Sequence, residues 1–153
     1  MLQINTRHVK FVLFNGVDPM VGIVMISHYN TAIELHRTLE FLLGTQQCVE
    51  SVGLHPGESK ENFKLRVKEA VFRVYGDDGV LILIDVFGEI PCNICIELIG
   101  SELKHLNVDM VTGLSLPMVL KACKARLFKN LSELVGEVKK AAVGGVIVYS
   151  EMV

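Results

Sequence analysis

Five short runs rich in Val and Ile recur from Met20 onward, each separated from the next by a longer stretch that is amphipathic at helical spacing and bounded by Gly or Pro. The runs are Val21 to Ser27, Cys48 to Leu54, Gly79 to Asp85, Asn107 to Thr112 and Gly145 to Tyr149. Between them, the pattern predicts helices over Thr31 to Leu43, Glu58 to Tyr75, a segment opened by Pro91, Leu116 to Lys124, and Asn130 to Ala142. This alternation constrains the fold strongly. Parallel strands need a crossover long enough to hold a helix, and a sheet wound that way is covered on both faces. The third run, Val80-Leu81-Ile82-Leu83-Ile84, is apolar without a break, as a strand buried on both sides should be. The fold class is therefore α/β, an open, doubly wound, mainly parallel sheet. In the helix after the second strand, Phe63, Val67, Val71 and Phe72 form the predicted apolar face.

At 153 residues there is room for one domain and no separate substrate domain. Residues 1–19 stand apart: an apolar patch, Val9 to Phe14, is broken by Gly16-Val17-Asp18-Pro19 before Met20. They read as an N-terminal extension or expression remnant, with the domain running over 20–153. The formal charge of -2 lacks the basic excess that phosphate contacts require, which argues against nucleic acid as a partner. Mean hydropathy is +0.43, yet charge or Gly interrupts the apolar runs well short of the roughly 20 residues of a membrane span. Four cysteines do not make a disulfide framework, and the first residues lack a secretory pattern, so a reduced, cytoplasmic setting is expected. Cys92 and Cys95 match C-x-x-C, the spacing of thiol redox sites and of half a zinc site. No second pair accompanies them, and a buried helix-lining pair accounts for them more simply.

In an open doubly wound sheet, ligands bind outside the carboxyl ends of the strands where the winding reverses. The first strand ends in Ser27-His28 and the third in Asp85. With strand order 2-1-3-4 these ends are neighbours, and a His and an Asp share one crevice. A carboxylate bonded to one imidazole nitrogen fixes tautomer and orientation and leaves the other nitrogen as a nucleophile. His28 would be that nucleophile and Asp85 its orienter. The helix that Pro91 opens would add free N-H groups and a positive dipole end, a cradle for phosphate. A strand-ending Asp also commonly caps the next turn, and a single His in such a loop is often incidental. Solvated or capping roles suffice for His8, His36, His55 and His105, and no metal-ligand spacing links them. Neither G-x-x-x-x-G-K-[ST] nor G-x-G-x-x-G occurs, so a phosphoryl donor would be something other than ATP.

From Val21 to about Ala142 the chain resembles the enzyme IIA domains of the mannose, fructose and sorbose branch of the bacterial sugar phosphotransferase system. The resemblance rests on Gly22-Ile23-Val24-Met25-Ile26-Ser27-His28, Ala32, Leu42-Leu43-Gly44 and Pro56-Gly57-Glu58. It continues through Gly79 to Asp85, Phe87-Gly88, Pro91-Cys92-Asn93 and Thr112-Gly113-Leu114-Ser115-Leu116-Pro117-Met118, all in order. It implies that His28 accepts a phosphoryl group from the histidine-containing phosphocarrier protein and passes it to enzyme IIB, which serves the membrane sugar permease subunits. Ser27, Gly88, Glu89, Ile90 and Cys92 would surround that group, and no cofactor or metal is expected. It also implies a homodimer whose last strand, after a hinge at Gly144-Gly145, crosses to the partner's sheet as an antiparallel edge.

Three positions depart from the family pattern. Tyr29 stands where Gly commonly follows the active histidine, and the usual Gly-Gly-Ser-Pro turn reads Gly88-Glu89-Ile90-Pro91. Ile90 removes a hydroxyl whose bond to a charged group is worth about 1.5 to 3 kcal/mol. Glu89 brings a negative charge toward a site that must hold another. These departures leave room for a regulatory or sensory relative, whose phosphorylation state signals to a transcriptional activator, as the alternative to a transport component.

Overall fold

The computed structural model describes residues 20–152; the reading of residues 1–19 as an extension lies outside them. Four strands form one parallel sheet: β1 (Gly22–His28), β2 (Val49–Leu54), β3 (Val80–Ile84) and β4 (Val108–Thr112), in the order β2-β1-β3-β4. The helices are α1 (Thr31–Leu43), α2 (Lys60–Val74), α3 (Ile90–Gly100), α4 (Leu116–Ala125) and α5 (Leu131–Gly144). The predicted order and the alternation both hold.

Successive side chains of a strand point to opposite faces, so each central strand feeds two cores. Val24 and Ile26 of β1 and Val80, Ile82 and Ile84 of β3 pack with Phe63, Val67 and Val71 of α2 and Cys92, Cys95 and Leu98 of α3. Ile23 and Met25 of β1 with Leu81 and Leu83 of β3 face α1, α4 and α5 through Leu39, Met118, Val119, Leu134 and Val138. Every residue of β3 is buried, which is what an unbroken apolar run requires. Phe63 is fully enclosed, and truncating it to Ala would cost about 3 to 5 kcal/mol.

Helix ends follow from local chemistry. The Ser59 side chain accepts the Asn62 N-H at 3.1 Å to start α2, and Asn130 and Glu133 form a reciprocal capping box on α5. Glu89 occupies the N-cap position of α3 without a side-chain cap bond, which places Pro91 at the second helical position rather than the first. At the far end of the sheet, Arg126 is nearly buried and donates to the carbonyls of Gln47 and Cys48 at 2.7 and 3.2 Å, tying the end of α4 to the entrance of β2.

Two expectations are corrected. Phe72 is half exposed; Ala70 and Val74 complete the buried face of α2 instead, because 63, 67, 70, 71 and 74 follow the 3.6-residue period and 72 does not. Gly145 to Tyr149 is not a strand. Gly144 ends α5, Gly145 keeps an ordinary φ of -78°, and Tyr149–Glu151 forms a 3-10 turn. A strand exists only by pairing, and among the described residues this segment lies on no sheet edge.

Candidate active site

β1 and β3 run side by side with Ile26 opposite Ile84, so the residues that follow emerge together at the carboxyl edge of the sheet. The Asp85 N-H donates to the Ile26 carbonyl at 3.2 Å, extending that register one step. Asp85 Oδ2 then receives two bonds from one residue: the His28 backbone N-H at 2.8 Å, and His28 Nδ1 at 2.9 Å. Oδ1 accepts the Val86 N-H at 2.8 Å. An ionised carboxylate only accepts, so Nδ1 carries the proton and the Nε2 lone pair is left free. The carboxylate is mostly enclosed, with 14% of the side chain exposed, while the imidazole is 42% exposed. A half-exposed imidazole oriented this way by a mostly enclosed carboxylate is an arrangement that can present a nitrogen nucleophile.

Across the crevice, α3 begins directly after the β3 turn. Gly88 takes a φ of +81°, and its carbonyl is held by Asn93 Nδ2 at 2.8 Å. The Glu89 side chain does not cap the helix, Pro91 has no N-H, and the N-H groups of Ile90 and Cys92 find no acceptor among the described residues. They remain available to an anion, as helix N-termini generally are. Glu89 is exposed.

Of the residues expected to surround a phosphoryl group, Gly88 and Glu89 lie on the turn and Ile90 opens α3. Two side chains point elsewhere. Ser27 is fully buried, and its Oγ accepts the Ala32 N-H at 2.7 Å, supplying the start of α1 with the acceptor that Asn30 does not provide. Cys92 is fully buried in the α2/α3 core, so only its backbone N-H faces the crevice end of the helix. Burial, reinforced by the neighbouring Cys92, pushes the Cys95 thiol well up, which is the opposite of what a reactive thiolate pair needs.

On the β2 side lie Tyr29, marked in the sequence as a departure from the family pattern, and Gly53, Glu58 and Arg66, to which the sequence assigned no part in the site. Tyr29 has a φ of +47°, a region costly for a non-glycine residue, at about 1 to 3 kcal/mol. Its N-H bonds the Leu54 carbonyl at 2.8 Å, and its ring meets His55 edge-on with centroids 5.6 Å apart. Gly53 makes this possible: a Cβ there would lie 1.9 Å from the Tyr29 carbonyl oxygen, backbone that cannot move aside. An isolated Gly inside a strand pattern was the available signal. The His55 turn is itself braced. Glu58 Oε2 accepts the His55 N-H at 3.3 Å, and Arg66 Nη1 bonds both Glu58 oxygens at 2.7 and 2.8 Å and the Gly53 carbonyl at 3.2 Å. His36 instead meets Ser51 Oγ at 3.2 Å beneath α1, and His105 is exposed beyond α3.

No helix of the described residues is long and apolar enough to cross a membrane. The model of the family described as PTS system fructose IIA component matches residues 22–139. The fructose-specific EIIA component of Bacillus subtilis is 24% identical over 132 residues, covering 86% of this chain and 88% of that one. The mannose-specific EIIAB component of Escherichia coli is 29% identical over 106 residues, 69% of this chain but 32% of that longer protein. The crystal structure of a phosphotransferase system component EIIA from Streptococcus agalactiae has the same fold, with a TM-score of 0.78 at 24% identity over 86% of this chain and 99% of that one. The matched span holds the whole sheet, His28, Asp85 and the start of α3, and the chain belongs to the fructose and mannose family of IIA components of the sugar phosphotransferase system.

Proposed function

We propose that the chain is a phosphoryl carrier: His28 Nε2 takes the group from the histidine-containing phosphocarrier protein and gives it to enzyme IIB, which feeds the membrane sugar permease subunits. The observation that carries this reading is the 2.9 Å contact between His28 Nδ1 and Asp85 Oδ2. As the P-N bond to the donor histidine breaks, a P-Nε2 bond forms and the donor nitrogen recovers its lone pair. The His28 ring, still protonated at Nδ1, becomes cationic, and the Asp85 carboxylate beside it stabilises that charge. Transfer between two imidazoles needs alignment and charge compensation more than covalent help. The N-H groups of Ile90 and Cys92 supply donors to the phosphoryl oxygens from the other side. Ile90 contributes no hydroxyl, so these backbone donors carry more of that load. The setting is cytoplasmic, where the phosphocarrier protein acts, and the working form is a homodimer.

The test is incubation with enzyme I, the phosphocarrier protein and labelled phosphoenolpyruvate. Acid-labile, alkali-stable label is expected on the protein and is lost in His28→Ala; label retained in that variant places the acceptor elsewhere. A regulatory role differs at the next step. There the phosphorylated protein keeps its label when enzyme IIB is added, whereas a transport component loses it.

A further inference from the structure

Asp85 fixes the imidazole of His28 from the β3 side, and something equally ordered stands on the β2 side. There Tyr29 follows His28 directly in a backbone conformation that few side chains tolerate, and it keeps 58% of its surface exposed. Its ring does not float: His55 meets it at an interplanar angle of 81°. The His55 backbone N-H in turn bonds Glu58 at 3.3 Å, fixing the turn that carries the ring, and Glu58 is held by Arg66 of α2. Strain, an edge-on aromatic contact and a braced turn thus hold one exposed ring on the residue that follows the nucleophile. A rigid aromatic ring is the kind of surface that loses least entropy when a protein packs on it.

We propose that Tyr29, positioned by His55, is a specificity-determining residue that recognises the protein donating the phosphoryl group, and that it does not act on the chemistry at His28. This rests on the carrier reading. The two are separated by comparing a protein donor with a small one. Phosphoramidate phosphorylates an accessible imidazole directly: its P-N bond breaks, ammonia leaves from the zwitterion and P-Nε2 forms. It needs no docking surface.

With the phosphocarrier protein as donor, Tyr29→Ala is expected to raise KM several-fold with kcat nearly unchanged, while the phosphoramidate rate stays at the wild-type value. Tyr29→Gly, which also removes the backbone strain, should raise KM equally, so the effect survives if the Ala variant folds poorly. His55→Ala should give a smaller rise, because the ring remains but is no longer pinned, and His55→Phe should restore the wild-type KM. An unchanged KM in both Tyr29 variants overturns the inference. So does a parallel fall in kcat and in the phosphoramidate rate, which would mean that Tyr29 holds His28 rather than the partner. If wild-type His28 takes label from neither donor, the carrier reading itself fails, and this inference with it.

Discussion

Asp85 accepts three hydrogen bonds on two oxygens, two of them from His28. An amide at this position can still accept, but it carries no charge to meet the imidazolium that phosphorylation creates. A hydrogen bond to a charged group is worth about 1.5 to 3 kcal/mol, or roughly 10- to 100-fold in rate, so Asp85→Asn should phosphorylate that much more slowly with its fold intact. Quenched-flow labelling alongside far-UV circular dichroism measures both; an unchanged rate removes Asp85 from the mechanism. Glu58 makes a different kind of prediction. Burial alone would raise its pKa, but the Arg66 guanidinium, the His55 N-H and the Asn62 amide together hold it below the usual carboxylate range. A carboxyl depressed in the fold stabilises above its unfolded pKa, and that contribution is lost as pH falls through the folded value. Glu58→Gln should therefore cost about 1 to 2 kcal/mol near neutral pH, and wild type and variant should converge in urea midpoint toward pH 3. A gap of constant size across that range would mean that the charge on Glu58 contributes nothing.

Among the elements, α5 shows most directly what a cap contributes. It is a 14-residue helix on the sheet face away from α2 and α3, started by Asn130 Oδ1 accepting the Glu133 N-H at 2.9 Å and by Glu133 Oε2 accepting the Asn130 N-H at 3.0 Å. Asn130→Ala removes the acceptor for the Glu133 N-H while the backbone N-H at 130 can still reach Glu133, and it should cost about 1 kcal/mol, a fall in Tm of roughly 2 to 4 °C by calorimetry. A Tm within a degree of wild type would show that packing through Leu134 and Val138 alone sets the helix. The elements were largely legible in the sequence because β3 is apolar throughout, β1 is apolar from Ile23 to Ile26, and Gly or Pro bounds the stretches between them. So was the meeting of His28 and Asp85, since strand order alone brings those ends together. What escaped was set by contacts between elements. Phe72 is apolar but lies off the period, so packing geometry overrode residue type. Gly53 and Tyr29 became informative only when β2 was laid against the end of β1. The side chains of Ser27 and Cys92 looked like site residues by position, yet the pleat and the helix turn direct them inward.

On the scale of the molecule, the sheet is unfinished. Among the described residues, β4 pairs only with β3, and its far side presents an open row of N-H and C=O groups, a feature that proteins seldom leave uncovered. A few residues beyond α5, Val146, Ile147, Val148 and Tyr149 are 80%, 68%, 47% and 78% exposed, an apolar, β-branched stretch that the single chain leaves unpaired. The two irregularities are complementary. An extended segment from a second copy, laid antiparallel on β4, would satisfy the open edge and bury the apolar stretch, and two-fold symmetry would do so twice. In the single chain, Gly145 keeps an ordinary φ of -78°. We therefore expect the full chain to sediment as a dimer at micromolar concentration and a chain ending at Gly145 to sediment as a monomer. Val148→Lys, which places a charge in the middle of the paired stretch without shortening it, should weaken the dimer while leaving the circular dichroism of α5 intact. A full chain that remains monomeric at 100 micromolar would mean that β4 is a true free edge.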